Sequence, residues 1–136
     1  MESSDIYNLG YRTKDVNESI YWLNLAAEKG HIGAQKKLAE IYEDGQKVTQ
    51  NYDEAIKWYS MAAYLGDTQA QRKLGICYIK NNKDYIKAYA WLTIATEQGS
   101  NMSRKKRDEI TDLMSFRQIN EANKLIKEIR AYQHQD

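Results

Sequence analysis

Few side chains in this sequence have the type and spacing that chemistry requires. There are two histidines, His31 and His134. Histidine is the usual general base and metal ligand near neutral pH, yet neither has a Cys, Asp or Glu at metal-ligand spacing. His31 follows a glycine helix stop and His134 lies close to the end of the chain, so both are expected to be solvent-exposed polar residues. The single cysteine, Cys77, falls between Leu74 and Tyr78 on an apolar helical stripe, the setting of a small buried hydrophobe rather than a nucleophile. One cysteine makes neither an intramolecular disulfide nor a thiolate cluster. Carboxylates occur side by side as Glu43-Asp44 and Asp53-Glu54, but adjacent residues on a helix do not face each other. "EDGQKV" has one glycine and no following lysine-threonine pair, so it is not a phosphate-cradling loop. No catalytic, cofactor-binding or metal-binding residue is expected, and no enzyme activity.

The elements that would position these side chains are helices. The chain has 136 residues with 42% hydrophobic and 29% charged, ordinary values for one globular domain spanning residues 1–136. It has no proline and only 7 glycines, which argues against a loop-rich β architecture. Ala, Leu, Lys, Glu and Gln fill the intervals, and all are good helix formers. A net charge of +1 gives no global reason to expect nucleic acid or an anionic membrane. "MESSDIYNLGYRTKD" lacks the basic and apolar regions of a secretion signal, and no run approaches bilayer-spanning length. A reducing, cytoplasmic setting is the expectation.

The helices come in repeats. "LAAEKGHIGAQKKL" (25–38) returns 36 residues later as "MAAYLGDTQAQRKL" (61–74), keeping Ala26, Ala27, Gly30, Ala34, Gln35, Lys37 and Leu38. Trp22, Trp58 and Trp91 mark intervals of 36 and 33, and Gly30, Gly66 and Gly99 keep them. A fixed period of this size is the signature of a helical-pair repeat. The three residues missing from the second interval lie between the paired helices, where packed faces stay in phase. The first helix of a pair, near 33–44, carries Ala34, Leu38, Ile41 and Tyr42 on one stripe, matched by Ala70, Leu74, Cys77 and Tyr78. The second, near 52–65, carries Ala55, Trp58, Tyr59, Ala62 and Ala63. Gly30, Gly66 and Gly99 suit a left-handed C-cap, and Asp67 suits the next N-cap. The doubled stretch is the end of one pair, its glycine stop and the start of the next.

These residues resemble the Sel-one-like repeats, relatives of the tetratricopeptide repeats. The family pattern A-x-x-x-L-G-x-x-Y, a glycine-bearing loop, then K-A-x-x-W-Y-x-K-A-A-x-x-G appears as Ala70, Leu74, Gly75, Tyr78, then Lys87-Ala88, Trp91, Ala95 and Gly99. The middle repeat gives Ala34, Leu38, Tyr42, Gly45, Ala55, Trp58-Tyr59, Ala62-Ala63 and Gly66. The first is abbreviated, with only 13 residues from Leu9 to Trp22. The resemblance implies an all-α fold: a short right-handed α-solenoid of about three antiparallel helix pairs, with repeats at 5–30, 33–66 and 69–99. A C-terminal capping helix is expected within 103–133.

The resemblance also implies a concave face built from the first helices, which would receive Tyr7, Tyr11, Lys36, Glu40, Glu43, Arg72, Ile76, Ile79 and Lys80. Tyrosine is abundant, 11 against 1 phenylalanine, and it is enriched in protein-binding hot spots. Tyr42, Tyr59 and Tyr78 occupy repeat packing positions and Tyr52 and Tyr85 recur in phase, whereas packing does not obviously explain Tyr7 and Tyr11. Ile76 and Ile79 fall off the Ala70–Leu74–Tyr78 stripe. They either present apolar surface to a partner or pack beneath the C-terminal helices. The run Arg104 to Arg107 is balanced at once by Asp108 and Glu109 and reads as a solvated face. No aromatics interleave it, so no nucleic acid is expected.

The function expected is non-enzymatic binding of another protein on the concave face, with no cofactor, nucleic acid or membrane. By the family resemblance, its most specific form is a small bacterial immunity protein neutralising a cognate toxin. The alternatives are a cytoplasmic scaffold or regulatory adaptor, and an enzyme with an unfamiliar site. A monomer or a weak homodimer is expected.

Overall fold

From the second helix onward, each helix start traces to a local side-chain hydrogen bond. The computed structural model describes residues 1–134, and among these it contains eight helices and no strand. They are α1 (Ser3–Arg12), α2 (Val16–Glu28), α3 (Ile32–Asp44), α4 (Tyr52–Tyr64), α5 (Thr68–Asn82), α6 (Tyr85–Glu97), α7 (Asn101–Thr111) and α8 (Phe116–Gln133). The fold class is the all-α solenoid class that the repeat implies.

Every helix from α2 to α8 starts with a side chain that accepts the backbone N–H three residues on, filling one of the donors a helix start leaves open. Asp15 accepts from Glu18 at 2.9 Å and Asn51 from Glu54 at 3.2 Å. Asp67 accepts from Ala70 at 2.9 Å, as the sequence suggests, and Asp84 from Lys87 at 3.1 Å. Ser115 and Gln118 form a reciprocal capping box. At the far ends, Gly30, Gly66 and Gly99 take φ of 92°, 97° and 102°, the left-handed stop expected of them.

The three residues absent from the last repeat are accounted for. The α3–α4 connection covers residues 45–51, while the α5–α6 connection is only 83–84, and α5 is two residues longer than α3. So short a turn puts Lys83 at φ 55°, the one described non-glycine residue with positive φ.

Two compact units divide the chain, Met1–Ala62 and the residues from Ala63 onward. In the first, α2 packs against α1 and α3. The α1–α2 approach is close at Gly10, where a Cβ would stand 2.9 Å from Leu23 Cγ. In the second unit α6 packs against α5, α7 and α8. Surrounded on three sides, α6 buries Ala88, Ala90, Trp91, Leu92, Ile94 and Ala95, so it is apolar nearly all round rather than striped. Gly75 repeats the close approach, its hypothetical Cβ 2.8 Å from Leu92 Cγ.

The segment after Gly99 is a pair of helices rather than one. Ser100 begins α7 in register with Asp67, accepting from the Ser103 N–H at 3.2 Å. The α8 end is tied in by Gln133, whose Nε2 donates to the Ala63 carbonyl at 3.2 Å, and by the ion pair of Arg130 with Glu97.

Candidate functional site

In the first unit, α1 and α3 border an open hollow of about 370 Å³ lined by Tyr7, Tyr11, Gly33, Lys36, Lys37 and Glu40. Helical spacing produces it. Tyr7 and Tyr11 are four apart on α1, and Lys36 and Glu40 are four apart on α3, so each helix offers two side chains on one face. The rings are held in place. Tyr7 stacks on the imidazole of His31 with centroids 4.5 Å apart and planes at 21°, and Tyr11 lies 5.8 Å from Tyr7, tilted by 42°. Lys37 holds its ammonium 5.5 Å from the centre of the Tyr11 ring, a cation–π contact.

His31 itself is fixed by the helix it begins. Its Nδ1 accepts the Ala34 N–H at 3.0 Å, so it is the N-cap of α3 and half-buried. The expectation of a solvent-exposed loop histidine is corrected: His31 occupies the register of Asp67 and Ser100, where a cap acceptor is needed. Gly33 keeps the floor of the hollow open. A Cβ there would stand 2.9 Å from His31 Cε1 and 3.5 Å from Tyr7 Cζ. Burial pushes the Tyr7 phenol above its ordinary pKa, with Tyr11 and Glu40 adding to the effect, so it stays protonated and can donate a hydrogen bond.

The fold thus brings Tyr7, Tyr11, Lys36 and Glu40 together. Glu43 lies on α3 but outside the lining. Arg72, Ile76, Ile79 and Lys80 belong to α5 in the second unit. Arg72 and Ile76 are half-buried and Lys80 is exposed. Ile79 packs against the cluster of Ala88, Leu92 and Ile110, alongside Tyr85 and Met114. Of the two placements open to it, Ile79 takes packing against the C-terminal helices.

Gly33, Lys37 and His31 belong to the site without having been singled out for it. Lys37 recurs as Lys73 and so reads as a repeat residue. His31 is traceable only by carrying the Asp67 cap back 36 positions. Elsewhere, the chemically suggestive residues are occupied structurally. Cys77 is buried in α5. Lys106 pairs with Glu109 and Arg107 with Asp108, both at 3.3 Å, so half of the basic run is matched locally. Among the described residues no three His, Cys, Asp or Glu side chains gather as a metal site, and no helix is long and apolar enough to cross a membrane.

Comparison with known proteins agrees with this architecture. No curated protein matches the chain. Among solved structures, a protective antigen present in uropathogenic Escherichia coli strains and displaying an SLR fold superposes with a TM-score of 0.82 at 25% identity, covering 97% of this chain and 30% of that one. A Sel1 repeat protein from Oxalobacter formigenes gives 0.71 at 27% identity, covering 79% of this chain and 49% of that one. In both cases the match covers less than half of the other protein's length. The family model for the Sel1 repeat matches three times, at residues 4–31, 32–67 and 68–100, each range closing one residue past a glycine stop. With three copies covering most of its length, the chain belongs to the Sel1 repeat family, whose repeats serve as protein–protein interaction modules.

Proposed function

We propose that this chain binds a partner protein through the α1–α3 face of its first unit, with Tyr7, Tyr11, Lys36 and Glu40 as contacts and Glu43 at the margin. The observation that supports this most is the pinned Tyr7–Tyr11 pair. Two large rings held by a stack and a cation–π contact lose little entropy on binding, which is what makes tyrosine effective at interfaces. On α5, Arg72, Ile76 and Lys80 follow at four-residue spacing and form the contact set of the second unit. Ile79 contributes there through the packing that holds α5. In its most specific form the reading is of a cytoplasmic immunity protein that neutralises one cognate toxin, the form suggested by family analogy; binding without catalysis is the mechanism.

The test is affinity capture from the native cell, wild type beside the Tyr7→Ala/Tyr11→Ala variant, with circular dichroism to check that the variant is folded. One stoichiometric partner, lost in a folded variant, supports the reading. If that partner is a toxin domain, co-expression should restore growth with the wild type and not with the variant. Several weak partners would favour a scaffold, and a partner retained by the variant would move the site away from α1 and α3.

A further inference from the structure

We infer that copies of this chain associate head to tail, the turn that opens α8 in one copy seating its Phe116 in a recess on α1 of the next. Phe116 is the only phenylalanine in the chain, a residue type that usually lies inside. Here it is 80% exposed, and Leu113, three residues before it, is 62% exposed. Neither sits on a loose loop. The Leu113 and Met114 N–H groups donate to the carbonyls of Ile110 and Thr111 at 2.9 and 3.2 Å, and Met114 packs on the Ala88–Leu92–Ile110 cluster. The Ser115–Gln118 capping box then fixes the start of α8. Apolar side chains held on a fixed turn lose little freedom on binding and mark a contact surface. On α1, Asp5, Asn8, Leu9 and Arg12 share a face different from that of Tyr7 and Tyr11, and with Met1 they line a recess of about 320 Å³. That is the small end of binding cavities, room for one ring.

Charge selects a second copy as the occupant. Residues 1–62 hold 7 Lys and Arg against 10 Asp and Glu, a net −3, while residues 63–136 hold 13 against 9, a net +4. Whole copies at +1 barely repel, whereas unlike units attract. The pattern holds locally. Asp5 and Arg12 make no ion pair among the described residues, and Asp112 and Arg117 flank Phe116 with both signs exposed. A seated Phe116 lets Arg117 pair with Asp5 and Asp112 with Arg12. Arg117 already lies 3.5 Å from Glu121, but that is an exposed pair within one helix and exchanges readily. Because turn and recess are different surfaces, each contact leaves one of each free, so association does not close at two chains.

The test is light scattering of the purified full chain from about 20 µM to about 1 mM, the range in which a small interface associates. The average mass should rise with concentration without levelling at two chains. Raising salt from about 50 to about 500 mM should weaken the association severalfold. Phe116→Asp and Leu9→Asp, each checked for folding by circular dichroism, should each weaken it at least about tenfold. Their equal mixture is the decisive sample. Each variant keeps the surface that the other lacks, so the mixture should form dimers and stop there. Asp5→Arg and Arg117→Asp should each weaken association, and the double variant should restore it. Asp5 and Arg117 are exposed, so this pair reads out even where Leu9→Asp disturbs the helix. Tyr7→Ala/Tyr11→Ala should associate like the wild type, which keeps this contact separate from the partner face. A wild type that stays monomeric at about 1 mM overturns the inference. So does a closed dimer, a mixture that stays monomeric, association indifferent to Phe116→Asp, or a double variant without rescue.

Discussion

Gly33 is the residue on which the hollow depends most. Gly33→Ala brings a methyl to 2.9 Å from His31 Cε1, so the imidazole must shift and its stack on Tyr7 loosens. Alanine is the better helix former by about 0.5–1 kcal/mol, which offsets much of that strain. The expected outcome is near-wild-type melting with clearly weaker partner capture, a separation that a simple fold defect would not give. Gly66→Ala behaves the other way. Nothing lies within 4 Å of its Cβ position, so only the φ of 97° opposes the substitution. A loss of about 1–2 kcal/mol in urea unfolding is expected. At this scale part of the lining of the hollow was legible. Tyr7, Tyr11, Lys36 and Glu40 were reached through the family resemblance, which assigns the exposed side of the first helices to a concave face. His31 and Gly33 were not legible, since their roles are to cap and to leave space, and neither shows in hydrophobic pattern.

At the scale of the helix, the three glycine stops and the Asp67 start were readable in the chain. Glycine and Asp act at these ends through local backbone geometry and a bond three residues away, so sequence carries them directly. Turn lengths were less readable: the three-residue deletion was visible, but not that α5 would extend to Asn82 and leave Lys83 left-handed. Lys83→Gly should relieve that conformation and raise stability by about 1 kcal/mol, read as a higher urea midpoint. The repeated Ala-Gln dipeptide also acquires a reason. Gln35 donates to the Ala27 carbonyl at 3.0 Å and Gln71 to Ala63 at 3.1 Å, both glutamines fully buried. Each stitches the first helix of one pair to the end of the helix before it. Gln35→Ala is expected to cost about 1–3 kcal/mol. Gln71→Ala should cost less, because Gln133 also donates to the Ala63 carbonyl.

For the whole molecule, partial burial of three tyrosines makes stability fall at alkaline pH. Burial raises the phenol pKa of Tyr7, Tyr42 and Tyr64, each with smaller contributions from nearby acidic groups. Above the ordinary value of 10.0 the folded chain then holds protons that the unfolded chain has lost. That stability is fully present below the unfolded value and disappears as pH rises through the folded ones. Urea unfolding at pH about 9 and about 11 should show the fall, and Tyr64→Phe should reduce it. Ile79→Asp is expected to lower stability at any pH by disturbing the Ala88–Leu92–Ile110 cluster, so its effect on binding cannot be read as a lost contact. The repeat architecture was legible because three tryptophans and three glycines keep its register. Ile79's neighbour Ile110 was not, because it comes from α7, where the repeat pattern has ended.

The junction between helix pairs has one more consequence, for how such a chain changes length. Removing residues 31–66 would join Gly30 directly to Asp67. The seam would still read glycine stop, side-chain cap, then Ala70-Gln71, with the buried amide of Gln71 facing the carbonyl of Ala27 in place of Ala63. Inserting the same 36 residues again would restore the seam just as well. Recombination at these glycines leaves no broken cap behind it, so a gene can gain or shed a unit without a folding penalty at the scar.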